Sequence, residues 1–260
     1  MAAAVPRKHP KLARAPLVNV ISQVRYPPVL TLNAEGQRQE LLAALQRELS
    51  DYPLFAQVAG QEILLGPQGI QSQETKPTSY SFSSDDRLWT IGVASDSLSL
   101  QTTQYEHFND FVERWRSIAS VVQTHLAPTR QIRLGLRYVD ELRAEGADSP
   151  EAWRDLLAPD VLGLAASDTW GHATRQSYQE WLFELDEFRC TLRHGFLPTS
   201  VHGRDPFYLF DSDCYFEEVT SFDPEAQVTY LDRFNDLAYD LFRSALSDSL
   251  YESFHPEAVA

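Results

Sequence analysis

The sequence is poor in cysteine and has no long apolar run. Its two cysteines, Cys190 and Cys214, lie in apolar, strand-like stretches of the 260-residue chain. We interpret them as small buried side chains and leave a bridge between them open. No stretch approaches the roughly 18 consecutive apolar residues of a membrane-spanning helix, and the N-terminus lacks the apolar core of a secretory signal. These absences predict a cytoplasmic protein that does not enter a membrane.

Specific catalytic and metal-binding motifs are also missing. The chain contains no Walker-type phosphate loop, no GxGxxG turn, no GxSxG elbow, no HExxH and no CxxC pair. Their absence removes the support for nucleotide hydrolysis, dinucleotide redox chemistry and structural zinc. His194, His202 and Asp205 could be drawn as a metal site, but alternation favours a core strand that ends in a loop. We therefore expect no metal and no cofactor.

Positive charge is scarce beyond residue 15. The first 15 residues hold four of the 22 lysines and arginines and no acid, so the other 18 stand against all 37 acidic residues. An acidic body of this kind repels phosphates, and four charges supply only weak, salt-sensitive affinity. We expect residues 1–15 to form a disordered basic tail and the body to bind a protein partner, a basic one for preference, and no nucleic acid.

What is present is enough apolar sequence for a sizeable core, at 43% hydrophobic and 12% aromatic residues. Strand and helix patterns alternate in the order strand, helix, three strands, helix, and this order occurs twice. It predicts an α+β fold of antiparallel sheets with helices on one face, divided into half-repeats at 16–128 and 129–260 that form one compact unit. The predicted elements are strands 16–26, 79–83, 88–93, 97–103, 131–142, 178–186, 188–196 and 208–216, and helices 35–52, 106–126, 150–157 and 225–250.

Two short sequence matches support a duplication. Residues 24–26 (VRY) resemble residues 136–138 (LRY), and the tripeptide FND occurs at both 108–110 and 234–236. We expect each pair to occupy the same place in its half.

Four longer segments carry a resemblance to known proteins: PLVNVISQVRYPPVL, SDSLSLQTTQY, RLGLRYVDE and YLDRFNDLAYDLFRSALSDSLYE. Together they resemble an uncharacterised, sporadically distributed bacterial protein family. The resemblance covers nearly the whole chain and implies no catalytic or binding residues. The duplicated plan is also similar to the duplicated effector-binding domains of the gyrase-inhibitor family, which hold small molecules between their halves. That architectural resemblance implies a ligand site between the halves.

Strand alternation places a set of arginines on one face of the sheet. In residues 16–26 the valines face the core, so Arg25 lies on the opposite face, and Arg133 and Arg137 take that face in the second half. Because arginine occurs twice at one position of the repeat, Arg25 and Arg137 are candidate bidentate anchors for a carboxylate, a phosphate or a partner's acid. The alternative is a solvated sheet with cross-strand charge pairs.

Three further residues complete the candidate set. Glu180 and Glu184 share the polar face of a later strand, but roughly 13 Å separates them, too far for the usual glycosidase pair. Trp181 on that strand is expected to point inward. Trp170 lies in the irregular segment AASDTWGHATRQ. Core packing from a loop is the default for such a residue, and exposure would mark a contact surface.

These features favour a non-catalytic interaction or regulatory protein that binds a protein partner through the polar sheet face and the loops around Trp170. The alternative is a small-molecule-binding module with its site between the halves, anchored by Arg25 and Arg137. A carboxylate-dependent hydrolase is the least supported hypothesis. The sequence leaves the oligomeric state open.

Overall fold

The computed structural model describes residues 9–258 except 34, 59–60, 67–68, 75–78 and 199–204, and gives the backbone alone for 33, 35, 61–66 and 69–74. The strands in this part are β1 (Leu17–Arg25), β2 (Leu54–Val58), β3 (Gln61–Gly66), β4 (Gly69–Glu74), β5 (Ser79–Ser83), β6 (Trp89–Val93), β7 (Ser97–Thr102), β8 (Arg130–Gln131), β9 (Arg133–Leu142), β10 (Gln179–Leu185), β11 (Phe188–Leu197), β12 (Phe207–Phe216) and β13 (Thr220–Ser221). The helices are α1 (Glu35–Glu48), α2 (Phe108–His125), α3 (Pro159–Leu162), α4 (Pro224–Ala245) and α5 (Asp248–Ser253).

Nine of these strands form one antiparallel sheet in the order β10-β11-β12-β9-β1-β7-β6-β5-β2. Helices α1, α2 and α4 pack on one side of it, which we call the helix face, and the opposite side is called the open face. The predicted α+β class with antiparallel strands and helices on one face is confirmed.

Alternation of side chains explains why only one face of β1 is covered by helices. Val20, Ser22 and Val24 are fully buried beneath the helices, while Arg25 on the open face is exposed. A strand with one apolar face and one polar face can be covered on the apolar face only, because a second layer would remove water from the polar side chains.

Helices α2 and α4 pack against each other through an apolar stripe that contains one buried polar chain. The indole N–H of Trp115 in α2 donates to Gln227 Oε1 in α4 at 3.0 Å, and Gln227 Nε2 donates to Gln131 Oε1 at 2.7 Å. These bonds satisfy the polar atoms that the helix packing buries. At its N-terminus α4 is capped by Asp223, whose carboxylate accepts from the Glu225 N–H at 3.0 Å.

Both predicted meanders are present as β5–β7 and β10–β12, and the predicted bounds of these strands agree with the structure to within two residues. The three-strand count for the first half is wrong, because β2 adds a fourth strand beside β5 and the β3–β4 hairpin follows it. The predicted helix 225–250 is interrupted after Ala245, and Ser247 caps a separate α5. The predicted helix 150–157 is a 3-10 turn at Pro150–Trp153.

The two halves share an order of strands when the sheet is followed outward from its centre. The first half gives β1, β7, β6 and β5, and the second gives β9, β12, β11 and β10. Val24, near the end of β1, pairs with Leu98 near the start of β7, whereas Leu136, inside β9, pairs with Cys214 near the end of β12, so the expected match of the VRY and LRY segments stays a prediction. Duplication of an ancestral half stays a prediction.

The expected match of the two FND tripeptides is wrong in detail. Residues 108–110 open α2, whereas residues 234–236 begin ten positions after the first residue of α4, Pro224. The tripeptides therefore occupy different turns of the two helices, and their identity is not a mark of equivalent positions.

The predicted disordered tail is also corrected for the residues that the structure describes. Residues 9–17, here called the arm, lie against α4 and the C-terminal segment. His9 stacks on Tyr239 with ring centroids 4.0 Å apart, and the backbone N–H groups of Ala13 and Arg14 donate to the carbonyls of His255 and Phe254. Sequence composition missed this packing because its partners are more than 200 residues away.

Candidate functional site

On the open face, Arg137 is held by an acid of its own sheet. Its Nε and Nη2 donate to the two carboxylate oxygens of Asp211 at 2.7 and 2.8 Å. Asp211 is 0% exposed, and Arg193 of β11 lies 3.8 Å from it on the other side. The two N–H donors that could hold an external carboxylate in a bidentate pair are thus already bonded within the fold. Arg137 is therefore not free to anchor an external acid in this arrangement.

The other two candidate arginines lie on the same face but in different surroundings. Arg133 donates to Asp213 at 2.8 Å and stacks over the Tyr215 ring at 4.5 Å. Arg25 lies directly opposite Arg133 in the β1–β9 register and is exposed. Within the described residues Arg25 forms no ion pair. The predicted face is thus correct for all three arginines, and only Arg25 is left available.

Glu180 and Glu184 are on the open face of β10 and each pairs with an arginine of β11. Arg193 Nε donates to Glu180 at 2.7 Å, and Arg189 lies 3.3 Å from Glu184. Both glutamates are exposed to solvent. Each carboxylate is open to solvent and paired with an arginine of the neighbouring strand, so this geometry offers the hydrolase hypothesis no support.

The aromatic predictions near this strand need correction. Trp170 is 60% exposed instead of packed in the core, and Trp181 and Leu185, expected to point inward, are also largely exposed. The reason is position, because β10 is the last strand of the sheet and no helix reaches over its end. Alternation fixes the side of the sheet on which a residue lies, and the neighbouring layer decides whether it is buried.

On the helix face, a cavity of about 750 Å³ lies between α2 and α4, beside β9 and β12. The arm and residues 257–258 line its outer side, the segment 105–110 lines it from the first half, and α4 lines it from the second. Its volume is that of typical ligand sites. None of the six candidate residues predicted from the sequence lines this cavity.

Two polar side chains in the cavity wall have no hydrogen-bond or ion-pair partner among the described residues. Asp140 of β9 is 6% exposed and Ser212 of β12 is 2% exposed, and neither side chain forms a hydrogen bond or ion pair within the described part of the chain. Burial, and secondly the charge of Asp211 behind the sheet, raise the pKa of Asp140 to about 8. A buried polar group without a hydrogen bond is costly, so its presence requires an explanation.

A second set of polar groups in the cavity is linked by hydrogen bonds. The Tyr138 hydroxyl donates to Asn235 Oδ1 at 2.7 Å and lies 3.4 Å from the Tyr105 hydroxyl. Burial raises the pKa of both tyrosines, so both hydroxyls keep their protons at neutral pH. The wall thus offers two neutral phenols and one amide at fixed positions.

The charged groups at the cavity rim are mostly acids, and its basic groups are partly engaged. Lys11 Nζ donates to Glu106 at 3.4 Å, and the His9 imidazole lies 2.7 Å from Asp236. Burial, and secondly the neighbouring Asp236, raise the pKa of Asp232. The unpaired charge that remains toward the cavity is therefore predominantly negative.

Sequence reasoning missed this site although it carried one signal. The core-facing positions of β9 read Leu134, Leu136, Tyr138, Asp140 and Leu142. An aspartate at a core position of a buried strand is unusual, and that exception marked the cavity.

Cys190 and Cys214 are free thiols, both buried, and directly opposite each other on β11 and β12. Their hydrogen bond, and secondly burial, raise the pKa of the Cys214 thiol. His194 is buried and bonded to the Tyr208 hydroxyl at 2.9 Å. His202 lies outside the described residues.

The described residues contain no group of three histidine, cysteine or acidic side chains suited to a metal ion. No helix among them is both long and apolar enough to cross a bilayer.

Comparison with known proteins adds no relative: neither protein-family models nor curated protein sequences give a match to this chain.

Proposed function

We propose that this protein is a small-molecule-binding module whose ligand occupies the cavity between its two halves. The observation that carries the proposal is Asp140, a buried carboxyl group that lines a cavity of about 750 Å³ without any partner in the described chain. Folding gains nothing from such a group, because an apolar side chain of similar size would avoid the cost of desolvation.

The composition of the wall supports the same proposal. Ligand sites combine an apolar and aromatic lining with a few polar groups held in place. Here Phe108 and Phe242 supply apolar surface, while Tyr138 and Asn235 are fixed by their mutual hydrogen bond. The two halves contribute different parts of this wall, so ligand occupancy would strengthen their association.

A fragment screen by ligand-observed NMR tests the proposal. We expect fragments to bind the wild-type protein and to be lost from two blocked variants, Ala238→Phe in the wall and Asn109→Trp at the rim. Asn109 is exposed, so its replacement leaves the core intact. A ligand present at 100 times its dissociation constant should add about 2.7 kcal/mol to the free energy of unfolding.

The matched control is Glu184→Gln, which changes a carboxylate to an amide on the open face. It should bind each fragment as the wild type does. Fragments that bind both blocked variants normally, or a wild-type protein that binds none at millimolar concentration, would refute the proposed site.

A protein-binding role is the second candidate, and the outer strand β10 is the observation that favours it. Leu182 is 57% exposed there, beside the exposed Trp181 and Leu185. A strand with one free edge and exposed apolar side chains can pair with a strand of another chain. If β10 binds a partner, Leu182→Lys should abolish capture of that partner and leave fragment binding unchanged, while normal capture by this variant would exclude the strand.

A further inference from the structure

We infer that the ligand is an organic cation, an amine carried on an apolar body, whose charged group binds Asp140. This inference rests on the proposed function, since it names the class of molecule that the same cavity takes. It follows from the charges, the aromatic rings and the unpartnered carboxyl group that meet there.

Charge is the first argument. Asp140 has no opposite charge beside it in the described chain, whereas Lys11 is engaged with Glu106 and His9 with Asp236. An anionic ligand would meet this excess of acids without a free lysine or arginine in the wall. A cation instead supplies the partner that Asp140 lacks among the described residues of the wall.

The aromatic lining is the second argument. Tyr105, Tyr138 and Tyr239 present three rings to the cavity, and Phe108 and Phe242 add two more. Aromatic faces attract ammonium groups, most strongly where water is excluded, and the same rings pack against an apolar body. Carboxylate and aromatic rings together are therefore suited to an amine with a hydrocarbon portion.

The N-terminus of α2 favours an anion, and its partial positive charge can be compared with the acids around it. The start of α2 faces the cavity with no side-chain cap at His107, and a helix N-terminus carries about half a positive charge. However, Glu106 and Asp110 lie at the same place. Lys11 offsets the charge of Glu106, and the full negative charge of Asp110 still outweighs that half charge, so the rim remains attractive to cations.

Proton release gives this inference a distinctive signature. At pH 7 Asp140 holds its proton, because burial and the charge of Asp211 raise its pKa to about 8. A cation beside it stabilises the carboxylate, so binding below pH 8 must expel one proton. Affinity should then rise about tenfold from pH 6 to pH 7 and level off above about pH 8.

Other titratable groups share the cavity with Asp140 and must be separated from it. They are His9 and Lys11 of the arm, Tyr105, Glu106, His107 and Asp110 before and within α2, Tyr138 of β9, Asp232, Asp236 and Tyr239 of α4, and Glu257. Asp140→Asn keeps the shape and all these groups while removing one titration. Any pH dependence that it abolishes therefore belongs to Asp140.

Three probes of similar size test the inference by calorimetry: 2-phenylethylamine as the cation, 2-phenylethanol as the neutral form and 3-phenylpropanoate as the anion. We expect the amine to bind most tightly, with about one proton released at pH 6.5. In Asp140→Asn the amine should bind at least tenfold more weakly and without proton release, while the alcohol is unaffected. Glu184→Gln is the control and should behave as the wild type.

The outcomes separate this inference from the proposed function. If the alcohol or the propanoate binds as tightly as the amine, or if Asp140→Asn binds the amine normally, the cation inference is overturned. Loss of those same ligands in Asn109→Trp would still uphold a cavity ligand. If all three probes and the fragment screen fail on the wild type, both the inference and the proposed function are overturned.

Discussion

Asp211 and Asp140 lie on neighbouring strands and opposite faces of the sheet, and their surroundings differ in one respect. Asp211 is buried on the open face between Arg137 and Arg193. Asp140 is buried on the helix face, with no cation beside it in the described chain. The open face pairs its buried acid with two arginines, whereas on the helix face burial raises the pKa of Asp140.

His194 follows the same rule as Asp140. It is buried on the helix face with the Tyr208 hydroxyl as its partner, and burial lowers its pKa to about 4. Neutralisation is the usual response of a buried group that lacks a counter-charge. The pairing of Asp211 therefore belongs to the fold, while Asp140 lines the cavity with no counter-charge among the described residues.

The sharpest way to break this comparison is to remove a charge from the open face. Arg137→Ala should lower the free energy of unfolding by about 3 kcal/mol, because it leaves Asp211 buried with only the more distant Arg193 nearby. Urea unfolding at pH 7 measures it. Arg25→Ala is the control and should cost less than about 0.5 kcal/mol.

A double replacement shows whether the pair or its charge matters. Replacing Arg137 and Asp211 together by leucine should recover most of that loss, since an apolar pair carries no desolvation penalty. A single Arg137→Ala variant as stable as the wild type would show that Asp211 does not depend on this partner.

Removing the titratable group of Asp140 on the helix face should instead raise the free energy of unfolding near neutral pH. Between pH 5.5 and 7 folded Asp140 holds a proton that the unfolded chain, with an ordinary aspartate pKa, has lost. Stability therefore falls as pH rises, by about 1.4 kcal/mol per unit. Asp140→Asn should gain about 2 kcal/mol on the wild type between those two pH values. Parallel pH profiles for the two proteins would exclude a raised pKa at Asp140.

His194 should produce a smaller effect with the reverse dependence on pH. Its folded pKa of about 4 lies below the usual 6.5, so its contribution to stability is present above pH 6.5 and is lost as pH falls toward 4. From pH 6.5 to 5.5 the wild type should lose about 1 kcal/mol from this group. His194→Gln should lack that loss in denaturant titrations at the two pH values, and an unchanged loss would assign it to another group.

The exposed ion pairs of the open face should give the smallest effect. Glu180→Gln and Glu184→Gln each remove the charge of an exposed carboxylate, while Arg193 still lies near Asp211 and Arg189 near Glu217. We expect each to change the free energy of unfolding by less than about 1 kcal/mol, and less still in high salt. A larger loss would mean that these glutamates support Asp211 through Arg193.

The sequence predicted the open face better than it predicted the site. Alternation in β1 and β9 placed Arg25, Arg133 and Arg137 correctly, because the period of two is a property of the local backbone. The same reasoning gave the two meanders and the long helices. It missed β2, whose residues lack alternating burial, and the arm, whose contacts are distant in sequence.

What the sequence determined by itself is the α+β class, the face on which each strand residue lies, and the acidity of the body, since each depends on local pattern or on composition. The tertiary structure alone decided which charges meet. Arg137 reaches Asp211 across two strands that are 74 positions apart. Asp140 has no partner among the described residues, because α2, α4 and the arm, from three regions of the chain, leave a cavity beside it. Long-range packing sets these distances, and the distances set whether a buried acid is a structural partner or a binding group.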